Sequence, residues 1–279
     1  MNTSTASVQN LNVPEQNSFA DVLRPHLHMI NKFRPKAFFQ AEFGPYRVET
    51  ITSSEDLIRI LELRHHSFVD DFMGAAPAGW LDFDHYDLLA DHVIVKHVES
   101  KEILGTYRII CSNFSDSFYS QEQYNIDKIT SLDGTKIELG RACIHKDYRN
   151  GVTINLIWKG LARYAVTTNA RYMFGCASVK TVSPDLAYSM LWHLYPLHFN
   201  ESLRSDVLPK YDCPKPECFD SLPSWREVED NVPALLRSYL QAGAQIASEP
   251  ALDSFFKCVD FLTVLDLNNI NPKYYRRYF

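Results

Sequence analysis

The sequence predicts a single domain of the α/β or α+β class, in which helices flank a mixed central sheet. Two observations carry this prediction. Apolar segments at residues 92–98 and 103–111 are separated by a short polar stretch, as in a β-hairpin. Residues 136–179 then follow the order strand, turn, amphipathic helix, strand, which is the order of a parallel βαβ unit. With 279 residues, the chain is long enough to bury a sizeable core.

Residues 1–44 are predicted to form an N-terminal extension, and residues 45–279 the domain itself. The extension is polar at first and then basic and aromatic, with Phe33, Arg34 and Phe38 close together. Such a segment either packs on the domain as an arm or contacts a membrane surface, and the sequence leaves both interpretations open.

The elements of the domain are predicted from periodicity and from their terminal residues. A strand at 46–51 precedes a helix that begins after Ser53 and ends near Phe68, because Ser53 and the acidic residues after it are typical of a capped first turn. The helix after Gly151 spaces its apolar residues three and four positions apart, which indicates one buried face. The remaining predictions are a helical piece near 121–124, strands at 137–143, 172–179 and 258–267, helices at 185–195 and 232–240, the latter ended by Gly243, and a Pro-rich irregular insertion at 198–226.

Composition and charge exclude several classes of function. The net charge of −6 argues against non-specific nucleic-acid binding. No apolar run reaches the roughly 18 residues of a membrane-spanning helix, and the N-terminus lacks the features of a secretory signal, so a cytoplasmic protein is expected. The six cysteines lie mostly in apolar runs, as reduced buried thiols do. Cys213 and Cys218 have no second Cys/His pair nearby, and we predict no metal site.

Two charged residues, Glu138 and Arg141, lie in the otherwise apolar strand at 137–143. Charges are rarely buried unless they are paired or functional. Their odd separation places them on opposite faces of a regular strand, unless Gly140 marks a bulge that redirects one of them. Either they form a structural ion pair, or Glu138 is a general base with Arg141 as its orienting partner or as an electrostatic clamp.

An acidic run precedes the hairpin and contains Asp82, Asp84 and Asp87. It is either a solvated loop or a site for a cationic substrate, since the rest of a calcium-binding pattern is missing. Arg64 and Arg108 lie in apolar surroundings, where an unpaired cation is costly. We expect each of these arginines to contact either the acidic run or a carboxylate of the substrate.

The turn before the long helix is the third candidate site. Backbone N–H groups at a helix start bind anions, Arg149 adds a cation, and Gly151 permits close approach of a ligand. Asn150 and Thr153 are candidates to cap the helix. The alternative is an ordinary turn with a surface arginine.

These motifs, taken together, resemble one family, the bacterial L-ornithine Nα-acyltransferases. The resemblance runs from about residue 46 to the C-terminus. The family has the Gcn5-related N-acetyltransferase (GNAT) fold and is related to the acyl-homoserine-lactone autoinducer synthases and the N-acyl amino acid synthases. The segments that carry the resemblance are LRHHSF (63–68), DFDHYDLLADHVIV (82–95), ILGTYRII (103–110), ELGRACIHKDYRNG (138–151), LIWKGLARY (156–164) and FGCAS (174–178).

The resemblance implies a role for each matching residue. A Cys that is common in the family before the Asp-His pair is Ala90 here, which removes a thiol from that point. Glu138 and Arg141 match the catalytic pair. The residues expected to bind the amine and the carboxylate of the acceptor are Arg64, Asp82, Asp84, Asp87 and Arg108. Those expected to bind phosphopantetheine are Arg149, Asn150, Gly151 and Thr153.

The implied activity is transfer of a (3-hydroxy)acyl chain from acyl carrier protein to the α-amine of ornithine, the first step of ornithine lipid biosynthesis. No bound cofactor is expected, because acyl-phosphopantetheine arrives as a co-substrate. Lys146, Arg149, Lys159 and Arg163 are candidates for docking the acidic carrier, with a solvated helix face as the alternative. Alternatives for the function are an N-acyl amino acid, glycine lipid or autoinducer synthase, or a non-catalytic acyl-binding domain. Since the product is a lipid, residues 33–39 and 273–279 are candidates for peripheral contact with the inner face of the membrane.

Overall fold

A nine-stranded sheet forms the centre of the protein in the computed structural model, which describes residues 18–69, 73–218 and 222–279. Its order is β1-β2-β3-β4-β5-β6-β9-β7, and β8 also pairs with β9. Only the β5–β6 pair is parallel among the described strands, so the predicted mixed sheet is confirmed. The strands are β1 (Gln40–Phe43), β2 (Tyr46–Thr50), β3 (Asp91–His97), β4 (Ile103–Cys111), β5 (Thr135–Ile144), β6 (Ala170–Val179), β7 (Gln245–Ile246), β8 (Ala251–Asp253) and β9 (Cys258–Asp266).

Helices cover both faces of the sheet. The helices of the described chain are α1 (Phe19–Leu23), α2 (Leu27–Ile30), α3 (Ser54–Phe68), α4 (Tyr86–Leu89), α5 (Asp127–Thr130), α6 (Val152–Thr168), α7 (Pro184–His198), α8 (Trp225–Val228), α9 (Ala234–Ala242) and α10 (Pro272–Tyr278). The buried faces of α6, α7 and α9 pack on one side, against inward residues of β2 to β6 and of β9. Helix α3 and the segment between β4 and β5 pack on the other side.

Two predicted helix ends, the start of α3 and the end of α9, are found where the sequence places them, whereas Thr153, a predicted cap of α6, lies inside that helix. The Ser53 hydroxyl accepts a hydrogen bond from the Asp56 N–H at 3.1 Å and so caps α3. Gly243 ends α9 in the left-handed conformation, with φ of 104°. Helix α6 lies close to the sheet at Gly160, where an added Cβ would come within 2.7 Å of Val48 Cγ1 and 2.8 Å of Val93 Cγ1.

The described part of the predicted N-terminal extension packs on the domain. Strand β1 lies within it and pairs with β2, so the sheet begins before residue 45. The backbone N–H groups of Lys36 and Ala37 donate to the Asp91 carboxylate at 2.8 and 2.9 Å. Phe33 and Phe39 are buried, and Phe38 is exposed. These contacts match the interpretation of the segment as a packing arm.

The predicted insertion at residues 198–226 is irregular where it is described. It contacts the edge of the sheet, because Phe199 bridges to Ile246 of β7 and Asp212 bridges to Ala251 of β8. At the C-terminus, the rings of Tyr274 and Tyr278 pack on Trp158 of α6. None of the described helices is both long enough and apolar enough to cross a membrane.

Candidate active site

Strands β5 and β6 separate in the middle of the sheet and leave a wedge between them. Their pairing runs from Thr135 opposite Ala170 to Glu138 opposite Phe174, although both strands continue for several residues. A cavity of about 250 Å³ opens where the pairing ends. Residues 138–142 of β5 line one side of it. The wedge therefore exposes strand residues that a continuous sheet would cover.

A β-bulge aims two charged residues of β5 into this cavity. Thr106 pairs with Cys143 and Arg108 with Gly140, so two residues of β5 lie opposite one residue of β4. The bulge lies at Arg141, whose φ of 51° is left-handed, and not at Gly140 as the sequence suggested. As a result, Glu138 and Arg141 line the same cavity despite their odd separation.

Glu138 is a buried carboxylate held by three donors. Its Oε2 accepts the Tyr119 N–H at 2.6 Å, and its Oε1 accepts the N–H and the hydroxyl of Ser120 at 2.6 and 2.5 Å. Burial raises the pKa of Glu138 above its ordinary value, although these hydrogen bonds act in the opposite direction. Since a carboxylate has about four lone-pair sites, one remains for a proton from a ligand.

Arg141 makes neither the structural ion pair with Glu138 nor the orienting contact that the sequence suggested. Its Nε donates to Asp82 at 3.1 Å and its Nη2 to Asp84 at 3.3 Å. The guanidinium lies between the rings of Tyr119 and Phe256, at 4.6 and 5.3 Å from their centres. Ser120 and the Tyr119 backbone, rather than Arg141, orient Glu138.

The acidic run is neutralised by arginines instead of being open to solvent. Arg64 is fully buried and donates to Asp82 at 2.7 Å and to Asp87 at 2.6 Å. Burial alone would raise the pKa of Asp82 and Asp87, but the Arg64 guanidinium, together with other cations, outweighs it and holds both pKa values below the ordinary range. Arg64, Asp82 and Asp87 therefore stabilise the wall of the cavity, and their geometry does not support the predicted direct contact with an acceptor. Asp84, the more exposed member, pairs with Arg108 and Arg141.

Arg108 is the cation of this network that has a free donor. Its Nη1 donates to Asp84 at 2.7 Å and to Asp87 at 3.3 Å. Its Nη2 is buried and has no hydrogen-bond partner among the described residues. Arg108 is 2% exposed and lines the cavity next to Glu138. Because a buried unpaired N–H is costly, this donor is a candidate contact for a substrate carboxylate.

The turn before α6 lies beside a second cavity of about 570 Å³. Gly151 precedes the helix in the left-handed conformation, and the Asn150 side chain accepts the Val152 N–H at 3.1 Å. Arg149 lines the cavity and donates to the Ile144 carbonyl oxygen at 3.1 Å, whereas Thr153 is buried. Basic residues of α3 and of the turn line the same space: Arg59, His66, His145 and Lys146.

The two cavities are adjacent. Ser67 at the end of α3 lines the second cavity, and its neighbour Phe68 lines the first. On β5, Ala142 lines the first cavity, and His145 just after the strand lines the second. The residues that line the two cavities are therefore close in sequence both at the end of α3 and at the end of β5.

The wall of the first cavity opposite β5 contains polar residues that sequence reasoning missed. Asp260 accepts hydrogen bonds from the Gln123 amide at 2.9 Å and the Ser178 hydroxyl at 2.5 Å. Asp253 lines the same wall. A signal was present, because Asp260 is a charged residue inside the apolar run of β9, as Glu138 is inside β5.

The cysteines are the remaining candidate nucleophiles and metal ligands. All six thiols are free, with Cys213 buried and Cys218 exposed. Burial raises the pKa of Cys143 to about 11 and that of Cys176 well above its ordinary value, so both are neutral thiols at physiological pH. Over the described ranges, no three His, Cys, Asp or Glu side chains come together as metal ligands would.

Comparison with known proteins defines the class. A family model described as an acetyltransferase (GNAT) domain matches residues 63–159, from α3 through β5 into α6. The protein is thus an acyltransferase with a mixed sheet of the GNAT type, as the sequence predicted.

Curated relatives narrow the class. This chain is similar to proteins named L-ornithine N(alpha)-acyltransferase from Agrobacterium fabrum (strain C58), with 29% identity over 77% of this chain and 79% of the relative, and from Rhizobium meliloti (strain 1021), with 29% over 77% and 78%. The protein of the same name from Brucella abortus (strain 2308) is 27% identical over 87% of this chain and 92% of its own length. The predicted resemblance is confirmed. Among solved structures, the AHL synthase LasI matches with a TM-score of 0.46 and 12% identity over 84% of this chain and 94% of that one.

Proposed function

We propose that the protein is an L-ornithine Nα-acyltransferase that uses an acyl carrier protein as donor and forms lyso-ornithine lipid. The observation that carries the proposal is the pair formed by Glu138, a buried carboxylate with one free acceptor site, and Arg108, a buried guanidinium with one free donor, in one cavity. These two groups match the α-ammonium and the α-carboxylate of an amino acid. The names of the relatives support ornithine as that amino acid.

In the proposed reaction, Glu138 takes a proton from the α-ammonium, either directly or through a water. The free amine attacks the thioester carbonyl, the C–N bond forms, and the C–S bond breaks. The thiol leaves with the second proton of the nitrogen, and an amide remains. Burial favours Glu138 as a base because it raises the pKa of the carboxyl.

The oxyanion of the tetrahedral intermediate needs donors at the wedge. Beyond Glu138, strand β5 is no longer paired with β6, and residues 139–142 of β5 line the cavity. We assign the N–H groups of these residues to the oxyanion, since fixed backbone donors stabilise developing charge without reorganisation. Gly175 lies at the point of divergence, where an added Cβ would be 2.2 Å from the Leu139 carbonyl oxygen.

The donor is assigned to the second cavity. Arg149 and the N–H groups at the start of α6 suit the phosphate of phosphopantetheine; Asn150 and Gly151 form the turn before them, and Thr153 is the second residue of the helix. The acyl carrier is expected to be acidic, which favours a basic docking surface that includes Lys159 and Arg163 of α6.

The proposal includes peripheral membrane contact through residues 33–39 and 273–279. The aromatic residues that remain exposed in these segments are Phe38, Tyr275 and Phe279, and the last two lie beside Arg276 and Arg277 at the end of the chain. Flotation with liposomes that contain anionic lipid tests it, and a protein that stays at the bottom of the gradient removes it.

An N-acyl glycine or autoinducer synthase is the alternative within the same chemistry. A test is to express the protein in a bacterium that lacks aminolipids and to identify new lipids by mass spectrometry. We expect an N-acyl ornithine in which the acyl chain is 3-hydroxylated. If the product is an N-acyl glycine or an N-acyl homoserine lactone, the acceptor is not ornithine. If a well-expressed, folded protein yields no new N-acyl compound, the proposal is contradicted.

A further inference from the structure

Two carboxylates on the wall of the first cavity lack a cationic partner. Asp253 and Asp260 are each 4% exposed and line the cavity. Within the described ranges, no lysine or arginine forms an ion pair with either of them, whereas Asp82, Asp84 and Asp87 each pair with arginine. A buried carboxylate without a cation is costly, and a cationic ligand would remove that cost.

Neutral groups hold both carboxylates in place. Asp260 accepts from the Gln123 amide and the Ser178 hydroxyl, one on each oxygen. Asp253 accepts the N–H groups of Phe255 and Phe256 through Oδ1 at 2.9 Å each. Its Oδ2 accepts no hydrogen bond from the described residues, which leaves acceptor sites on both side chains.

A row of side chains connects Asp260 with the proposed base. Ser120 donates to Glu138, and its hydroxyl lies 3.5 Å from the Cys176 thiol. Cys176 Sγ is 3.3 Å from the Gln123 side-chain oxygen, and the amide of Gln123 donates to Asp260. Glu138 and Asp260, which both line the cavity, therefore lie at the two ends of one chain of polar contacts.

The free Nη2 of Arg108 is an independent sign that the cavity takes a charged ligand. It is a buried donor without a partner, on a side chain that lines the same space. The base Glu138, a guanidinium with one unpaired N–H donor and a carboxylate without an ion pair match an α-ammonium, an α-carboxylate and a second ammonium, respectively. An amino acid with an amine at the end of its side chain carries these three groups.

We propose that Asp260, with Asp253 beside it, binds the side-chain ammonium of the acceptor and so selects a diamino acid over a neutral one. This inference rests on the proposed function and deepens it. The side-chain ammonium is then bound by the wall formed by β8 and β9, and not by the acidic run at residues 82–87. This placement also gives the cavity an orientation, because a bound side-chain ammonium leaves the α-amine at Glu138.

The test is acceptor selectivity in the full-length protein, with acyl carrier protein as donor. L-Norvaline has the carbon chain of ornithine without the side-chain amine. For Asp260→Asn we expect kcat/KM for ornithine to fall about 10- to 100-fold, the range for a lost hydrogen bond between charged groups. The preference for ornithine over norvaline should fall with it, because norvaline has no side-chain ammonium to contact Asp260, and circular dichroism reports whether the variant is folded. Asp266→Asn is the matched control on the same strand, outside the cavity, and should preserve the wild-type preference.

Each outcome decides the inference. Equal losses for ornithine and norvaline in Asp260→Asn would mean a structural role and overturn it, as would an unchanged ratio. If Asp260→Asn does not fold, the same ratio of kcat/KM for ornithine to kcat/KM for norvaline is measured in Asp253→Asn and in the wild type. A wild-type enzyme that uses both acceptors equally overturns the proposal. Failure of the wild type to acylate ornithine at all would instead contradict the proposed function.

Discussion

Replacing Glu138 by Gln tests the assignment of the base. The substitution keeps the size of the side chain and removes its charge and its ability to take a proton. Three donors at 2.5 to 2.6 Å surround the two oxygens, and an amide can accept from them only through its oxygen. General base catalysis contributes about 100- to 10,000-fold, which is about 3 to 5 kcal/mol of barrier. We expect the rate of acyl transfer to fall within that range.

Single-turnover transfer from acyl carrier protein to ornithine, measured between about pH 6 and 9.5, is the appropriate assay. In the wild type, transfer depends on ionised Glu138, whose pKa is raised by burial. In Glu138→Gln, the amine must lose its proton to solvent, so the defect should shrink as the pH rises toward the pKa of the amine.

Ser120→Ala is the matched control for this prediction. It removes one donor from Glu138 and keeps the carboxylate, so the pH profile should move upward with a smaller loss of rate. Glu138 is not the general base if Glu138→Gln transfers acyl groups at nearly the wild-type rate at pH 7, or if only KM changes.

Four further changes test other parts of the structure. Arg108→Lys should raise KM for ornithine at least tenfold in steady-state kinetics, because one ammonium cannot serve both the acidic run and a substrate carboxylate; an unchanged KM would exclude this contact. Gly160→Ala should lower stability to urea by about 1 to 3 kcal/mol, because the new methyl group meets two valines of the sheet; a gain in stability would mean that the helix moves freely. Burial lowers the pKa of His92 to about 4, so the unfolded chain binds a proton that the folded protein does not, and stability should fall as the pH decreases from about 6.5 to about 4. Urea unfolding of His92→Gln should lack that part of the pH dependence, and equal slopes would contradict it. Charge reversal at Lys159 and Arg163 should raise KM for the acyl carrier at low salt, with a smaller effect at high salt; no effect at low salt removes the docking surface.

Local signals made most of the elements predictable. The apolar periodicity of α6 and the caps at Ser53 and Gly243 depend on neighbours within one or two turns. The hairpin of β3 and β4 and the βαβ unit around α6 follow from short connections. Strands β7 and β8 have two and three residues, which is too short for an alternating pattern to stand out.

The candidate site was predictable in its residue types but not in its pairings. The sequence shows unusual charges at Arg64, Asp82 and Asp87, yet their ion pairs join positions 18 and 23 residues apart and depend on how α3 meets the loop before β3. The bulge at Arg141 depends on the register of β4 against β5. Ser120 was missed because a serine in a loop carries no signal of its contact with a strand carboxylate.

The position of the acyl group on ornithine tests the proposed roles of Glu138 and Asp260 together. In this account, Glu138 deprotonates the α-ammonium while Asp260 holds the side-chain ammonium at the other end of the cavity. NMR of the product made from acyl carrier protein and ornithine should therefore show an amide at the α-nitrogen and a free side-chain amine. An amide at the side-chain nitrogen, or a mixture of both products, would contradict the assignment of the two ends of the cavity.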